Sequence, residues 1–249
     1  MQRFTDKVTL VTGAASGIGR AAAERIASEG GKVFCTDLNN QALQETVAAI
    51  IEQGGSAIAH AFDISDETQV NTCVQACVDQ FGQLDAVVNM AGILRFDVTH
   101  ELDVAGFQKV LDVNVTGTFL LCKAALPHLL KTKGNIVNAA STAALAGLPC
   151  GVAYSASKGA VLAMTRSIAV EYAKRGVRAN CVCPGDIKTN MSTDVSFPDD
   201  YDWDQIPRIT SLLGMQGPEY VASVIAMLAS NDGGHITGED IRIDGGILS

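Results

Sequence analysis

The chain has 249 residues, 47% of them hydrophobic and 18% charged, so it can bury one large core or two small ones and is too apolar to be disordered. Its 27 acidic residues outnumber its 18 basic ones, which gives a net charge of −9 at pH 7 without any cluster of lysines and arginines. This balance argues against a nucleic-acid partner, because proteins that bind the phosphate backbone present a basic surface.

Seven cysteines lie mostly within apolar runs, and neither they nor the four histidines show the spacing of metal ligands. We therefore predict small buried thiols in a reducing compartment and no metal site. The first apolar run, residues 8–11, is far too short for a signal peptide, and no run approaches the ~18 residues of a membrane span. These features predict a soluble, cytoplasmic protein without a membrane partner.

Short apolar runs alternate with longer amphipathic stretches along the chain. The short runs predict seven strands, at residues 7–12, 32–37, 56–63, 84–89, 135–140, 178–183 and 240–243. Helices are predicted at residues 19–29, 40–53, 66–81, 152–175 and 218–229, with two more between the fourth and fifth strands. This alternation predicts an α/β fold, in which a parallel seven-stranded sheet carries helices on both faces in one doubly wound domain over residues 1–249.

One long stretch, residues 188–217, has no regular pattern. It is acidic at Asp199, Asp200, Asp202 and Asp204, and it contains the only tryptophan, Trp203. Because a loop of this length in a compact domain usually has a function, we expect it to form a lid over a substrate site.

A glycine-rich turn, TGAASGIG at residues 12–19, joins the first strand to the first helix. Glycines allow a pyrophosphate to approach the backbone closely, and the helix N-terminus supplies free N–H groups for it. The spacing is neither G-x-G-x-x-G nor that of a P-loop, so an ordinary glycine-rich turn is the alternative. Asp37 favours a dinucleotide, because it ends the second strand where a carboxylate can bind ribose hydroxyls. Such a carboxylate would repel a 2′-phosphate, which predicts NAD rather than NADP.

Tyr154 and Lys158 are one turn apart on the same face of the long predicted helix. A free tyrosine has a pKa of ~10, and an ammonium beside it would lower that pKa, which makes the phenol usable as an acid or base. Ser141 follows the fifth strand, at the edge where a parallel sheet presents its ligand-binding groups. Alone, the tyrosine and lysine would be read as a solvated helix face; together with Ser141 and Asp37 they indicate a catalytic site.

At this point the sequence resembles the short-chain dehydrogenase/reductase family over almost its whole length. The resemblance rests on ordered motifs: Thr12–Gly19, Asp63, Asn89-Met90-Ala91-Gly92, Asn114, Ser141, Tyr154 with Lys158, Pro184-Gly185 with Thr189, and Asp244-Gly245-Gly246. It implies a Rossmann-type fold and hydride transfer between NAD(H) and a secondary alcohol or ketone. One departure is visible, since Met90 stands where family members usually have a second asparagine that braces the turn after the fourth strand.

The resemblance also implies roles for individual residues. Tyr154 would exchange the proton, Ser141 would bind the substrate oxygen, Lys158 would bind the nicotinamide ribose, and Asn114 would hold a water beside the lysine. The implied cofactor-binding residues are Gly13, Ser16, Gly17, Ile18, Gly19, Asp37, Asp63, Ile64, Asn89, Gly92, Tyr154, Lys158, Ile187 and Thr189.

The substrate walls expected from the resemblance are Leu94, Phe96, Leu148, Cys150, Met191, Trp203 and Ile206. These side chains are largely apolar, and the lid aspartates would repel a carboxylate, so we expect a mostly apolar substrate rather than a sugar or a free hydroxy acid. Packing of Trp203 and Met191 onto the core, without substrate contact, is the alternative.

Relatives are commonly homotetramers, and apolar side chains on two helices support that expectation: Val115, Phe119, Leu120, Ala124, Val161, Leu162, Thr165, Ile168 and Ala169. Two other functions stay open. One is a 3-oxoacyl carrier-protein reductase, against which Asp37 and the acidic pI of about 4.8 both weigh. The other is a non-catalytic dinucleotide-binding sensor or scaffold, which usually lacks the tyrosine or the lysine.

Overall fold

The computed structural model of the protein describes residues 2–193 and 196–249. In this part of the chain the strands are β1 (Val8–Thr12), β2 (Lys32–Asp37), β3 (Ser56–Ala61), β4 (Ala86–Asn89), β5 (Asn135–Ala139), β6 (Arg178–Pro184) and β7 (Asp240–Ile243). The α-helices are α1 (Gly17–Ser28), α2 (Asn40–Glu52), α3 (Glu67–Phe81), α4 (Val104–Leu111), α5 (Thr118–Thr132), α6 (Val152–Tyr172), α7 (Asn190–Thr193) and α8 (Pro218–Ala229).

The strands form one parallel sheet in the order β3-β2-β1-β4-β5-β6-β7. Helices α1, α2 and α8 pack on one face of the sheet, and α3, α5 and α6 pack on the other. The predicted α/β architecture is therefore confirmed. Strands β2 and β3 are added on one side of β1, and β4 to β7 are added on the other side. At this switch in strand order a crevice opens at the carboxyl edge of the sheet, where ligands bind in doubly wound folds.

Local sequence signals explain where several helices begin and end. Asn39 accepts a hydrogen bond from the Ala42 amide to start α2, and Asp66 accepts two from the first turn of α3. Gly82 ends α3 in the left-handed conformation. These boundaries lie within one residue of those predicted from the sequence.

The two helices expected between β4 and β5 are not separated by a loop. A π-helical turn over Asp112–Gly117 joins α4 directly to α5, with Asn114 buried inside it. A π-turn contains one residue more per turn than an α-helix and often occurs at functional sites. The continuous run Val104–Thr132 is long and apolar enough to cross a membrane by length and composition, with a mean hydropathy of 1.2. Its residues Leu121 and Leu129, however, are fully buried against the sheet, as in a core helix.

The apolar side chains cited for a tetramer are mostly inside this chain. Leu120, Val161, Leu162, Thr165, Ile168 and Ala169 are all buried within the protein itself. The sequence pattern overstated the exposed surface because α6 is covered by the sheet and by its neighbouring helices. Phe119 of α5 and Val152 and Val170 of α6 are the large apolar side chains of these two helices that stay exposed.

Candidate active site

A cleft of about 830 Å³ opens at the carboxyl edge of the sheet. Its walls come from the turns after β1, β2, β3, β4, β5 and β6, from α6, and from the segment after residue 188. The strand registers align Thr12 with Asn89, and Asn89 with Asn138, so the turns that follow β1, β4 and β5 begin at the same level of the sheet. Ile247 and Leu248 complete the wall, although the sequence analysis did not single them out.

The glycine turn after β1 is shaped for a ligand with negative charge. Gly13 has a φ of +67°, and a Cβ at Gly19 would lie 2.2 Å from the Gly13 carbonyl oxygen, so neither position accepts a side chain. Ser16 precedes α1 but its side chain makes no capping hydrogen bond. The first N–H groups of α1 therefore remain available at the floor of the cleft, where a helix N-terminus favours phosphate.

Asp37 lies at the end of β2 beside this turn, as predicted. Its carboxylate accepts hydrogen bonds from the Ala15 amide at 3.1 Å and the Asn39 amide at 2.9 Å, which fixes its orientation. Lys109 is the cation on this side of the cleft, and it lies near Asp63 rather than Asp37. The donor set is thus suited to a dinucleotide: glycine backbone for phosphates and a fixed carboxylate for ribose hydroxyls.

Asp63 and Ile64 also line the cleft, after β3. Ser65 donates from its amide and its hydroxyl to the same Asp63 oxygen, at 2.9 and 2.6 Å. These bonds lower the pKa of Asp63, so its carboxylate is ionised near neutral pH. Gly92, Ile187 and Thr189 line the cleft as well, so most of the predicted cofactor residues surround one space.

Tyr154 and Lys158 face the cleft from α6, and both are almost completely buried. The Lys158 Nζ donates a hydrogen bond of 2.8 Å to the Ala139 carbonyl oxygen and lies 5.5 Å from the centre of the Tyr154 ring. Burial raises the pKa of Tyr154 to about 12, although a hydrogen bond with Ser141 opposes the rise. The predicted lowering of the tyrosine pKa by the lysine is therefore wrong for the protein alone. Burial lowers the pKa of Lys158 itself to about 8.

Ser141 follows β5 and caps the short 3₁₀ turn Thr142–Ala144 by accepting a hydrogen bond from the Ala143 amide at 3.1 Å. This bond fixes the serine hydroxyl oxygen at the wall of the cleft. Ser141 and Tyr154 thus present two hydroxyl groups to the same space, which is the arrangement needed to bind one substrate oxygen.

Asn114 does not line the cleft; its side chain holds three segments together behind it. Its Oδ1 accepts from the Ile93 amide at 2.8 Å, and its Nδ2 donates to the Ile93 carbonyl at 2.9 Å and to Ser157 Oγ at 3.0 Å. Ser157 in turn donates to the Tyr154 carbonyl at 2.7 Å. The turn after β4, the π-turn and the first turn of α6 are therefore locked to one another by Asn114 and Ser157, and the sequence analysis did not identify Ser157.

Asn89 is a predicted cofactor residue whose side chain points away from the cleft. Its Nδ2 donates to Asn138 Oδ1 at 2.7 Å in the interior, because strand alternation sends it to the core face of β4. The turn that follows is not loosened by Met90. The amides of Met90 and Ala91 both donate to Thr12 Oγ1 at 3.1 Å, so this hydroxyl braces the turn in place of the missing asparagine.

The predicted substrate walls divide into two groups. Leu94, Phe96, Leu148, Met191 and Ile206 line the cleft, whereas Cys150 and Trp203 do not. Trp203 is 60% exposed and packs on Phe197 and Tyr201, with ring centroids 5.3 and 5.2 Å away. The expectation that Trp203 contacts substrate is therefore wrong, and the packing alternative describes its position.

An aromatic cluster of Phe96, Phe197, Tyr201 and Trp203 joins the predicted lid to the turn after β4. Phe96 and Phe197 are 4.5 Å apart between ring centroids, and Tyr201 is 4% exposed although its hydroxyl has no hydrogen-bond partner within the described chain. Asp194 and Val195 of the predicted lid lie outside the described residues. The cluster was not recognised from the sequence, because its members are irregularly spaced.

The predicted lid is acidic in composition, but the charged side chain that it contributes to the cleft wall is positive. None of its aspartates at positions 199, 200, 202 and 204 is among the cleft-lining residues, and all four are exposed. Arg208 does line the cleft, and the sequence analysis overlooked it. The argument that lid aspartates would repel a substrate carboxylate is therefore wrong.

The remaining titratable residues do not suggest a metal centre. Within residues 2–193 and 196–249, no three His, Cys, Asp or Glu side chains are grouped to hold an ion. All seven cysteines are free thiols, six of them buried, and burial raises the pKa of Cys183 to about 12.

Comparison with known proteins agrees with this architecture. Residues 13–248 match the family model described as enoyl-(acyl carrier protein) reductase. The chain is 37% identical to meso-2,3-butanediol dehydrogenase of Serratia marcescens, over 98% of this chain and 95% of that protein. It is 36% identical to glucose 1-dehydrogenase 2 of Bacillus subtilis, with the same coverage. The solved structure of levodione reductase superposes with a TM-score of 0.90 at 33% identity, covering 98% of both chains.

Proposed function

The chain belongs to the short-chain dehydrogenase/reductase family and is an oxidoreductase acting on CH–OH groups, and from this premise we propose how its own residues divide the reaction. The reaction interconverts a secondary alcohol and a ketone, and a nicotinamide dinucleotide supplies the hydride chemistry when bound. The proposed catalytic residues are Tyr154, Ser141 and Lys158, and Asn114, which the sequence grouped with them, is proposed as the residue that positions them. The observation that carries the proposal is the convergence of the Tyr154 and Ser141 hydroxyls with the buried Lys158 ammonium on one cleft.

Tyr154 donates its phenolic proton to the substrate oxygen during reduction and removes it during oxidation. Ser141 donates a hydrogen bond to the same oxygen and stabilises the negative charge that develops there. Asn114 acts from behind, because its side chain fixes the segments that carry Ile93 and Ser157. The water that the family resemblance places at Asn114 would connect Lys158 to solvent.

The two pKa values explain how a tyrosine can work as a base near neutral pH. Since the pKa of Lys158 is lowered to about 8 and that of Tyr154 is raised to about 12, the first proton leaves the pair near pH 8. After that step one proton is shared by the two residues: either the lysine is neutral and the tyrosine is a phenol, or the lysine is charged and the tyrosine is a phenolate. The pair therefore titrates as a unit. Alcohol oxidation should therefore speed up as the pH rises through about 8.

We propose that the cofactor is NAD(H) rather than NADP(H). The support is the Asp37 carboxylate, which two backbone amides hold beside the glycine turn, while Lys109 of the cleft wall interacts with Asp63. A 2′-phosphate at Asp37 would meet a fixed negative charge without a neighbouring cation.

The test of both proposals is a spectrophotometric assay of ketone reduction with NADH and NADPH in parallel. We expect kcat/KM to favour NADH by about 100-fold, since repulsion of a fixed charge near the surface costs on the order of 3 kcal/mol. Asp37→Ser should reduce this preference to about tenfold or less, whereas Glu45→Gln, which removes an exposed α2 carboxylate outside the cleft, should leave it unchanged. Equal efficiency of the unmodified protein with both cofactors would contradict the assignment of Asp37.

The substrate that we propose is apolar around the reacting carbon. Leu94, Phe96, Leu148, Met191 and Ile206 form this part of the wall, beneath the segment 188–217 that we propose as a lid. Two relatives are named for a small diol and for glucose, so cyclic and aryl ketones must be compared with polyols in the assay. Higher efficiency on polyols would contradict this part of the proposal.

A carrier-protein reductase is the second candidate, because the matching family model is described by acyl carrier protein. A net charge of −9 disfavours docking of an acidic carrier. We further propose a homotetramer in the cytoplasm, without nucleic-acid or membrane partners, on the basis of the family resemblance, exposed Phe119 and Val170, and seven unpaired thiols. Light scattering on the purified protein tests the assembly, and a mass near that of one 26.0 kDa chain would contradict it.

A further inference from the structure

Arg208 is the arginine whose side chain has no hydrogen bond, ion pair or ring contact within residues 2–193 and 196–249. The chain has nine arginines, and each of the other eight forms a hydrogen bond, an ion pair or a ring contact within the described residues. Arg95 pairs with Asp97, for example, and Arg166 with Asp240. For Arg208 no such bond occurs in the described part of the chain, although it lines the cleft.

The segment that carries Arg208 is attached to the fold on both sides of this residue. Before it, the aromatic cluster fixes the segment to Phe96 after β4; after it, Ser211 donates a 3.3 Å hydrogen bond to the Gly245 carbonyl after β7. The phosphate-binding turn is covered instead by Thr189, whose methyl carbon is 3.1 Å from the ideal Cβ position at Gly17. Arg208 therefore lies on a segment that is attached to the turn after β4, whose Phe96 lines the cleft, and to the turn after β7.

Its neighbours along this segment are apolar or neutral where they face the cleft: Ile206, Ile209 and Thr210. The other charged side chains of the cleft are Asp37, Asp63 and Lys109 on the adenosine side, Lys158 at the reaction centre, and Asp186 beside Ile187. The Arg208 side chain is exposed and has no opposing charge on its own segment within the cleft wall, and a guanidinium can bind both oxygens of a carboxylate or sulfonate at once.

We propose that Arg208 binds an anionic group, a carboxylate or sulfonate, at the end of the substrate remote from the reacting carbon. The inference rests on the proposed ketone and alcohol chemistry and refines it: the substrate is apolar in the middle and negatively charged at its far end. It also agrees with the positions of Asp199, Asp200, Asp202 and Asp204, which are exposed outside the cleft wall and do not oppose such a ligand.

The experiment compares ketones that differ only in charge, each as the free carboxylate and as its methyl ester, for instance 4-acetylbenzoate and 4-oxocyclohexanecarboxylate. We expect the unmodified protein to reduce each acid with a kcat/KM at least tenfold above that of its ester. Arg208→Gln should lower kcat/KM for the acids by about 10- to 100-fold, the value of a charge-assisted hydrogen bond, and leave the esters within twofold. Arg208→Lys, which keeps the charge but not the bidentate geometry, should fall between the two.

Lys174→Gln serves as the matched control, because it removes one exposed positive charge far from the cleft wall. It should change neither acid nor ester. An equal loss on acids and esters in Arg208→Gln would overturn the proposal, because it would assign Arg208 to the cofactor or to a contact with Asp186. Preference of the unmodified protein for the esters would overturn it while leaving the ketone reductase function intact. Failure to reduce any member of the panel would instead contradict the proposed function.

Discussion

The two sides of the cleft are built in different ways. The inner side, here termed the polar floor, presents Ser141, Tyr154 and Lys158 to the cleft, with Asn114 and Ser157 directly behind them. All five are buried, and short hydrogen bonds link the strand, the π-turn and the helix that carry them. The outer side consists of residues 188–193 and 196–217, held by edge-on ring contacts of Tyr201 and by isolated bonds such as that of Ser211. Proton transfer requires fixed geometry, whereas admission of substrate requires a surface that can vary. Substitutions in the floor should therefore affect kcat, and those in the outer segment should affect KM.

The sharpest test of the floor is Tyr154→Phe. The ring still packs in its buried position, but no proton can be exchanged, so we expect kcat to fall by about 10²- to 10⁴-fold. Cofactor affinity, measured by fluorescence titration, should stay within about twofold. Turnover above one tenth of the unmodified rate would remove Tyr154 from its proposed role.

Lys158→Met should separate catalysis from stability. Burial lowers the pKa of this lysine to about 8, so below pH 8 the folded protein holds an unfavourable buried charge, and its stability increases as the pH rises from about 8 to 10.5. We expect the variant to lose turnover yet melt roughly 2–6 °C higher at pH 7, because the charge costs more than the lost bond to Ala139. Calorimetry should show this advantage shrinking above pH 8, and a lower Tm at pH 7 would contradict the prediction.

Ser157→Ala tests whether positioning alone matters in the floor. Loss of the Ser157 hydroxyl frees the Tyr154 carbonyl and one Asn114 hydrogen, so kcat should decrease by about tenfold and the pH–rate profile should shift, with little change in KM for the cofactor. Ser155→Ala is the matched control, since the buried Ser155 hydroxyl has no hydrogen-bond partner in the described chain. Identical effects of the two substitutions would show that the bonds to Ser157 are merely structural.

The smallest effects are expected in the outer segment. Tyr201→Ala removes the buried member of the aromatic cluster, so substrate KM should rise by about three- to tenfold while kcat changes little. Trp203→Ala should alter KM by less than about twofold, because this ring is 60% exposed and does not line the cleft. Tyr201→Phe, which removes only an unpaired hydroxyl, should be neutral. A larger change in substrate KM for Trp203→Ala than for Tyr201→Ala would contradict this prediction.

The order of strands and helices and most of the floor could be predicted from the sequence, because both depend on local patterns. Buried strands alternate with amphipathic helices, and Tyr154 and Lys158 share a helix face at a fixed spacing. The orientation of the Asn89 side chain was not predicted. Successive residues of a strand point to opposite faces, so a shift of one position decides whether a side chain faces the cleft or the core.

The outer segment could not be predicted in the same way. It has no periodicity, so Arg208 and the four aspartates could be counted but not assigned to a side of the chain. Likewise, the pKa of Tyr154 depends on burial, which outweighs the effect of the neighbouring lysine and is fixed only by tertiary packing. Helix α6 appeared to have a spare apolar face for the same reason, since its covering elements come from distant parts of the chain.

The presence of Ile247 and Leu248 in the cleft wall has a consequence for when the cleft can form during synthesis. The wall begins at Thr12 and ends one residue before Ser249, so a nascent chain leaving the ribosome cannot form the cleft until translation has passed β7. Residues that follow Leu248 directly lie close to this wall. Gln2, by contrast, lies beside Gly30, just before β2 at the amino edge of the sheet.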